Sequence, residues 1–188
     1  MKIAFLTTQT MSGATVRGRI LPLATKMAEQ SDIHVLVHAA NQAKSSENLN
    51  IHKFGRDPFS IQKGHKKRLS GIWLIARMEL NAFSAWIKLL KLKPDVLILS
   101  KPLPENVLTA WLLKPFNKAT IILDVDDFEL TANQLTSPLQ RAAIHWAERV
   151  GGKIASTIVA ASPFLQDHFK QLHPNKGIHL IPTGVDSG

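Results

Sequence analysis

MKIAFLTTQTMSGATVRGR, residues Met1 to Arg19, is the stretch that decides the fold. Its run IAFL, residues 3–6, is apolar without polar alternation, which is typical of a strand buried on both faces of a parallel sheet. The run leads into a loop rich in Thr, Ser and Gly and then into the pattern of an amphipathic helix. This order places the loop at the carboxyl edge of a sheet, where open α/β folds bind ligands.

The glycines of this loop match no specific phosphate motif. Gly13 and Gly18 have Walker-A spacing, but Arg19 and Ile20 stand where that motif needs a lysine and a hydroxyl. The dinucleotide pattern G-x-G-x-x-G is absent as well. Two interpretations stay open: a tight turn into a helix, or a generic anion cradle in which Gly13 admits a phosphate that Arg17 or Arg19 reaches.

The composition indicates one globular domain. The chain has 188 residues, of which 45% are hydrophobic and 20% charged, enough to bury a core. It has no cysteine, which excludes a disulfide framework and favours a reducing compartment. The apolar run after Lys2 is too short for a signal-peptide core. We therefore expect a cytoplasmic location.

The net charge of +9 is concentrated in one region. Residues 53–93 contain ten basic and two acidic side chains, a net charge of +8. Such a region suggests an anionic partner. Nucleic acid is not expected, because no aromatic–basic platform or recognition motif accompanies the charge. We expect docking on an anionic membrane, at the inner face, and the alternative is a merely solubilising surface. The proposed docking residues are Lys63, Lys66, Lys67, Arg68 and Trp73.

Strand and helix patterns alternate along the rest of the chain. Apolar strand patterns lie at residues 33–37, 51–54, 95–99, 120–123, 157–161 and 178–181. Helix patterns lie between them, and residues 56–70 are predicted to be a loop or a mobile segment. Charges interrupt residues 69–92 too often for a transmembrane span, so a long helix packed on the sheet is expected there. The alternation predicts an α/β fold with a single doubly wound, mainly parallel sheet and helices on both faces.

Two helices have specific predicted faces. The first is predicted to start near Gly18, because Pro22 fits only a first turn. Its apolar face is Val16, Ile20, Leu23, Ala24, Met27 and Ala28. The helix capped by Ser137 is predicted to end at Gly151 and Gly152. Its apolar face is Leu139, Ala142, Ala143, Trp146, Ala147 and Val150. The four tryptophans are expected in the core.

Asp124, Asp126 and Asp127 follow a buried strand and so lie at the same carboxyl edge as the Gly13 loop. Three neighbouring carboxylates repel one another unless a cation, a hydroxyl-rich ligand or protonation relieves them. Four interpretations stay open: a Mg-dependent phosphohydrolase with Asp124 as nucleophile and Asp126 as acid, a metal-chelating D-x-D, a site for acceptor hydroxyls, or solvated helix caps. The eight histidines form no metal-binding pattern.

Several segments resemble the N-terminal domain of GT-B fold glycosyltransferases of the retaining family-4 ("group 1") type. They read MKIAFLTTQTMSGATVRGRILPLATKMAEQSDIHVLVHA, KPDVLILSKPLPENV, ATIILDVDDFEL, STIVAASPFLQDHF and IHLIPTGVD. The last is the most specific, because Ile-Pro-x-Gly-Val-Asp is how these enzymes leave the first domain. Ser12-Gly13-Ala14 departs from the Gly-Gly pair that is common in the family.

The resemblance implies a division of the chain and of its parent enzyme. Residues 1–182 would be the Rossmann-like acceptor-side domain and 183–188 the start of the interdomain linker. The C-terminal donor domain is absent, so the chain alone is expected to be inactive. The parent would move a sugar from a nucleotide sugar to a glycan or lipid-linked acceptor of the cell envelope, with retention.

The resemblance also assigns residues. The donor-diphosphate loop would be Ser12, Gly13, Ala14, Arg17 and Arg19. The acceptor side would be Lys101, Asp124, Asp126 and Asp127. No metal or cofactor is expected, since helix dipoles and basic side chains can balance a diphosphate. The catalytic residues stay unassigned. A Mg-dependent phosphohydrolase using Asp124 and Asp126 and a non-catalytic anion- or membrane-binding module remain the alternatives.

Overall fold

The computed structural model describes residues 1–39, 49–56, 59–62, 65–68, 71–132 and 137–183. Its strands are β1 (Lys2–Leu6), β2 (Asp32–His38), β3 (Asn50–Phe54), β4 (Phe59–Gln62), β5 (His65–Arg68), β6 (Val96–Ser100), β7 (Thr120–Val125), β8 (Thr157–Ala160) and β9 (Gly177–Leu180). Its α-helices are α1 (Leu21–Met27), α2 (Gly71–Leu92), α3 (Pro104–Leu113), α4 (Glu129–Ala132), α5 (Pro138–Ile154) and α6 (Pro163–Leu172).

Seven of these strands form one parallel sheet in the order β3-β2-β1-β6-β7-β8-β9. The strand order reverses between β1 and β6, where Leu6 pairs with Leu99. The predicted doubly wound α/β sheet is therefore confirmed. In such sheets the crevice at this reversal, outside the carboxyl ends of the strands, is where ligands bind.

The two faces of the sheet have separate cores. On one face the first helix inserts Val16, Ile20 and Ala24 against strand residues that include Phe5 and Val35. On the other face α2, α3 and α6 contribute most of the helical core. These residues are Ala85, Leu89, Ala110, Leu113, Leu165 and Phe169. Helices thus cover both faces, and the strands between them are apolar because both of their faces are buried.

The first helix begins earlier than predicted. A helical turn starts at Ala14, continues as a π-helical turn (Val16–Ile20) and becomes α1 at Leu21. The π-turn places Pro22 in the first turn of α1, where its missing N–H is tolerated. One extra residue in a turn rotates the following side chains by about 100°. The predicted position of Leu23 on the buried face is therefore wrong, and it is 44% exposed.

Residues 56–70, predicted to be a loop, contain a hairpin. β4 and β5 pair antiparallel, with Phe59 opposite Arg68 and Gln62 opposite His65. The sequence Phe59-Ser60-Ile61-Gln62 alternates apolar and polar residues, which is a strand signal that the basic composition of the segment obscured. The prediction of a loop over this whole segment is wrong.

Helix α5 buries a different face from the predicted one. Its buried residues are Ile144, Ala147, Glu148, Gly151 and Gly152, whereas Leu139 is 64% exposed. The two glycines do not end the helix. A Cβ on Gly151 would lie 3.0 Å from Val107 Cγ2 of α3, and one on Gly152 would clash with the His173 ring. They are needed for close packing.

The prediction that the tryptophans lie in the core is wrong for three of the four, whereas Trp86 packs against the core. Trp73, Trp111 and Trp146 are exposed large side chains. Trp86 is half-buried and donates its indole N–H to Leu112 O at 3.2 Å. The long helix predicted in this region is present as α2, although it exposes apolar side chains as well as packing on the sheet. Within the described ranges, no helix has both the length and the apolar composition required to cross a membrane.

Candidate functional site at the carboxyl edge of the sheet

The structure brings the first loop and the aspartate segment together. Ser100 pairs with Asp124 in the register of β6 and β7, and the N–H of Lys101 donates to Asp124 O at 2.8 Å. Thr15, in the first helical turn, donates its hydroxyl to Asp126 Oδ2 at 3.0 Å. The ends of β1, β6 and β7 therefore share one polar site, as the sequence predicts.

Lys101 lies at the centre of this site. Its side chain is buried and its ammonium contacts Asp127 Oδ2, Asp126 Oδ1 at 3.5 Å and Glu129 Oε1 at 3.4 Å. Burial alone would lower the pKa of Lys101, but the three carboxylates outweigh it and the pKa is raised. Lys101 therefore carries a positive charge throughout the physiological pH range. Its φ of 72° is a sparsely populated conformation for a non-glycine residue.

Asp126 and Asp127 differ in environment. Burial raises the pKa of Asp126, opposed by the charge of Lys101 and the hydrogen bond from Thr15. Asp127 also contacts Lys101, but its side chain is 50% exposed. Of these two carboxylates, Asp127 is the one that a ligand can reach from solvent.

The acidic residues also have the spacing of a cation site. Carboxylate oxygens of Asp126, Asp127 and Glu129 lie within 4.8 Å of one another. However, the ammonium of Lys101 already contacts all three residues. A divalent cation would have to displace or share this ammonium. The residues thus fit a site in which Lys101 provides the countercharge.

Arg19 and Asp124, predicted to belong to two different subsites, bind each other. Arg19 Nε donates to Asp124 Oδ2 at 2.8 Å and Nη2 donates to Oδ1 at 2.6 Å, with side-chain exposures of 8% and 9%. The remaining N–H groups donate to Ile181 O and Thr183 Oγ1. The hydrogen bond to Asp124 raises the pKa of Arg19. This pair joins the first helix to β7 and to the chain after β9.

The other residues of the predicted donor loop are more open. Ser12, Ala14 and Arg17 are exposed, and the Ser12 hydroxyl lies 3.0 Å from that of Thr10. The N–H of Gly13 donates to Thr10 O at 2.8 Å. A Cβ on Gly13 would clash with the side chain of Gln9, which donates to Thr15 Oγ1 at 3.1 Å. A side chain at position 13 would therefore have to displace the side chain of Gln9.

A second buried polar group lies at the end of β2 and was not predicted. His38 Nε2 lies 2.5 Å from Glu105 Oε1 of α3. Asn81 Nδ2 lies 3.4 Å from both His38 Nε2 and Glu105 Oε2, and it donates to Arg56 O at 2.9 Å. All three side chains are buried. The sequence gave no sign that Glu105 is buried, because an acidic residue in the first turn of a helix is common on the surface as well.

The predicted membrane-docking residues are only partly described. Lys63 and the side chains of Lys66, Lys67 and Arg68 lie outside the described part of the structure, although the last three residues belong to β5. Trp73 is 74% exposed near the start of α2.

Comparisons with known proteins identify the family. The model of Glycosyltransferase Family 4 matches residues 19–188, so the chain belongs to this family. A comparison with curated protein sequences gave no significant match.

Solved structures of similar fold are GT-B glycosyltransferases, which confirms the predicted resemblance to a GT-B N-terminal domain. Sucrose-phosphate synthase from Thermosynechococcus elongatus has a TM-score of 0.67 and 11% identity, over 97% of this chain and 48% of that one. The catalytic domain of Starch Synthase IV from Arabidopsis thaliana has a TM-score of 0.70 and 11% identity, over 100% of this chain and 52% of that one. MurG from Acinetobacter baumannii has a TM-score of 0.58 and 14% identity, over 100% of this chain and 46% of that one. The chain thus spans about half the length of these proteins.

Proposed function

We propose that this chain is the N-terminal, acceptor-binding half of a retaining glycosyltransferase. The complete enzyme would transfer a sugar from a nucleotide sugar to a glycan or lipid-linked acceptor of the cell envelope. The observation that carries the proposal is the family match over residues 19–188, on a sheet whose reversal point is lined by polar side chains. The second half of the cleft, with most of the donor site, would come from a C-terminal domain. Residues 1–188 alone would therefore transfer no sugar.

The donor diphosphate would meet the loop after β1. Ser12, Gly13, Ala14 and Arg17 surround the exposed first turn of the first helix, where backbone N–H groups favour an anion. In this proposal Arg19 does not touch the diphosphate and instead holds the helix in place through Asp124. Two similar structures support a nucleotide-sugar donor, since Starch Synthase IV was solved with ADP and a transferase from Siraitia grosvenorii with UDP.

The acceptor would meet the group around Lys101. Asp127 accepts from the Lys101 ammonium and is half-exposed, so it can also accept hydrogen bonds from acceptor hydroxyls. Asp126 accepts a hydrogen bond from Thr15 and lies close to the Lys101 ammonium, so it would position Lys101 without contacting the acceptor. The carboxylate of Asp124 would support the site through Arg19, and its backbone carbonyl accepts the N–H of Lys101.

This geometry favours sugar transfer over a Mg-dependent phosphohydrolase. The hydrolase mechanism needs Asp124 as a free nucleophile and Asp126 as an acid. Asp124 instead gives both oxygens to Arg19 and is buried. Lys101 also holds the position that a cation would take among the acidic residues.

The test is a transfer assay with the chain in its complete protein. Labelled nucleotide sugars are supplied with an envelope extract as acceptor, and the anomeric configuration of the product is read by NMR. We expect retention, and we expect Asp127→Asn to raise the acceptor KM while the nucleotide-sugar KM stays unchanged. Absence of transfer from every nucleotide sugar would refute the function. Inversion would refute the retaining mechanism, and loss of activity in EDTA that Mg²⁺ restores would favour a metal site.

A peripheral position on an anionic membrane, in the cytoplasm, is the proposed location. Supporting it, α2 exposes an apolar stripe formed by Ile72, Trp73, Leu80, Phe83 and Ile87. At 3.6 residues per turn these five side chains fall within about 100° of arc, opposite the face that buries Leu89. The stripe faces away from the core of the domain.

Basic residues border this stripe. Arg77, Lys88 and Lys91 follow it on one side of α2 by helical spacing. The four basic residues from 63 to 68 directly precede the helix in sequence. An apolar helical face flanked by cations is the pattern of helices that lie in the plane of a membrane surface.

A further inference from the structure

Three aromatic rings form a cluster next to the proposed acceptor site. Phe128 directly follows Asp127, and its ring centroid lies 5.4 Å from that of Phe164, with the planes at 85°. The His168 ring lies 5.0 Å from Phe128 at 75°. Phe164 is 61% exposed. An exposed apolar ring thus contacts the residue that directly follows Asp127.

The sheet topology places this cluster at the carboxyl edge. Val125 of β7 pairs with Ala160 of β8, so the segments that follow these two strands emerge side by side. The first segment carries Asp127 and Phe128, and the second starts α6 with Phe164 in its first turn. The exposed carboxylate and the exposed ring therefore lie on neighbouring segments at the same edge of the sheet.

The cluster is fixed from behind. His168 Nε2 lies 3.5 Å from Glu148 Oε2, a buried carboxylate of α5. The Ser162 hydroxyl accepts from the N–H of Leu165 at 3.3 Å and so caps the turn that holds Phe164. A preorganised ring loses little conformational freedom when a ligand binds.

We propose that Phe164 and Phe128 form a subsite for a pyranose ring of the acceptor, with Asp127 accepting its hydroxyls. A pyranose has an apolar face of C–H groups, which suits the electron-rich face of an aromatic ring, and a rim of hydroxyls, which suits a carboxylate. The subsite rests on the proposed function, since it takes this edge as the acceptor side. It specifies the acceptor as a carbohydrate and not merely a hydroxyl compound.

Saturation-transfer NMR on the 188-residue chain tests the subsite directly. The aromatic protons are saturated, and transfer is measured to the methyl pyranosides of glucose, galactose and mannose. We expect transfer to the ring C–H protons of at least one sugar, and a loss of about fivefold or more in Phe164→Ala. Phe164→Leu, which keeps an apolar side chain, should lose the signal too. Phe116→Ala is the matched control, because Phe116 is an exposed phenylalanine that follows α3 at the opposite edge.

Two results would overturn the subsite: no transfer to any of the three sugars, or equal transfer in wild type and both Phe164 variants. Neither depends on a nucleotide sugar. The subsite can therefore fail while the complete enzyme still transfers sugar to its acceptor. Conversely, if sugar binding depended on Phe164, the subsite would be supported even if the complete enzyme turned over no nucleotide sugar.

Discussion

Arg19 and Asp124 bind each other through two short hydrogen bonds while both side chains are almost completely buried. A buried charge is tolerated only when it is paired and hydrogen-bonded. Removal of one partner leaves the other charge buried without compensation. At the scale of single residues, this pair is therefore expected to contribute more to folding than to chemistry.

We expect Arg19→Met to lower the free energy of unfolding by about 3–5 kcal/mol, because Asp124 is left unpaired. The double variant Arg19→Met with Asp124→Leu should recover part of that loss. Arg17→Met is the matched control, since Arg17 is exposed in the same turn, and it should change stability by less than about 0.5 kcal/mol. Urea unfolding followed by tryptophan fluorescence measures all three. Equal losses at positions 17 and 19 would contradict the prediction.

His52 gives a prediction about pH. Burial, the neighbouring His34 and the charge of Lys88 lower the pKa of His52 from its ordinary value of 6.5, with Asp32 opposing them. The unfolded chain then binds more protons than the folded chain between the lowered pKa and 6.5. The stability that neutral His52 contributes is thus fully present above pH 6.5 and is lost as the pH falls through the lowered pKa.

We expect His52→Gln to reduce the loss of stability between about pH 7.5 and about pH 5. His173 contributes in the same direction, because burial lowers its pKa as well, so some dependence should remain. His145→Gln, at an exposed histidine, is the control. The measurement is the free energy of unfolding at the two pH values. If the difference between these two free energies were the same in His52→Gln as in the wild type, the prediction would be wrong.

At this scale the sequence predicts where residues lie better than what they contact. Asp124, Asp126 and Asp127 do lie at the edge that holds the Gly13 loop. The pairing of Arg19 with Asp124 was not predictable, because the partners are 105 positions apart and meet only through the strand order and one rotamer. Glu105, Glu129 and Glu148 were missed, because nothing local distinguishes a buried glutamate from a solvated one.

At the scale of elements, α5 shows how packing overrides a clean apolar pattern. Its sequence offers Leu139, Ala142 and Trp146 on one side, but the buried side contains Glu148 and two glycines. Glu148 is accommodated because His168 lies 3.5 Å from its carboxylate. The glycines are accommodated because α3 and the end of α6 approach them closely. Apart from the β4–β5 hairpin and the short helix α4, the order and type of the elements were predictable, whereas the buried face of α5 depends on partners distant in sequence.

Gly152→Ala tests this close packing. The added Cβ would clash with the His173 ring, whose Nε2 lies 3.1 Å from Glu148 O. We expect a loss of about 1–3 kcal/mol, the usual cost of overpacking. Gly18→Ala is the matched control, because a Cβ on Gly18 would have no heavy atom within 4 Å, and it should be neutral or stabilising by about 0.5–1 kcal/mol. Thermal unfolding of both variants decides it, and similar effects would argue against tight packing at residue 152.

At the scale of the whole molecule, the domain presents two surfaces for which we propose functions. The carboxyl edge of the sheet gathers the polar site, and Arg19 ties that edge to residues 181 and 183 at the end of the described chain. The outer face of α2 carries the apolar stripe. Sequence reasoning reached the basic charge beside α2 and named Trp73 as a docking residue. It did not reach the rest of the stripe, because it expected the apolar side chains of this helix to pack on the sheet.

Membrane docking is the prediction that belongs to this scale. A basic residue near an anionic surface contributes about 1 kcal/mol, and burial of a leucine or tryptophan side chain in the interface adds to it. We therefore expect the chain to co-sediment with anionic vesicles at low salt, less at high salt, and weakly with neutral vesicles. Trp73→Ser combined with Leu80→Ser should reduce binding about tenfold or more.

The control for the stripe is Leu23→Ser, since Leu23 is an exposed leucine of α1 on the other face of the sheet, and it should leave vesicle binding unchanged. Replacement of Lys63, Lys66, Lys67 and Arg68 by Ser should reduce the difference between anionic and neutral vesicles, because fewer cations then remain beside the apolar stripe, which by itself does not distinguish lipid charge. Equal recovery of the wild-type chain on both vesicle types would show that the basic residues only solubilise the surface. An equal loss in Leu23→Ser and the α2 double variant would show that the stripe is not the contact.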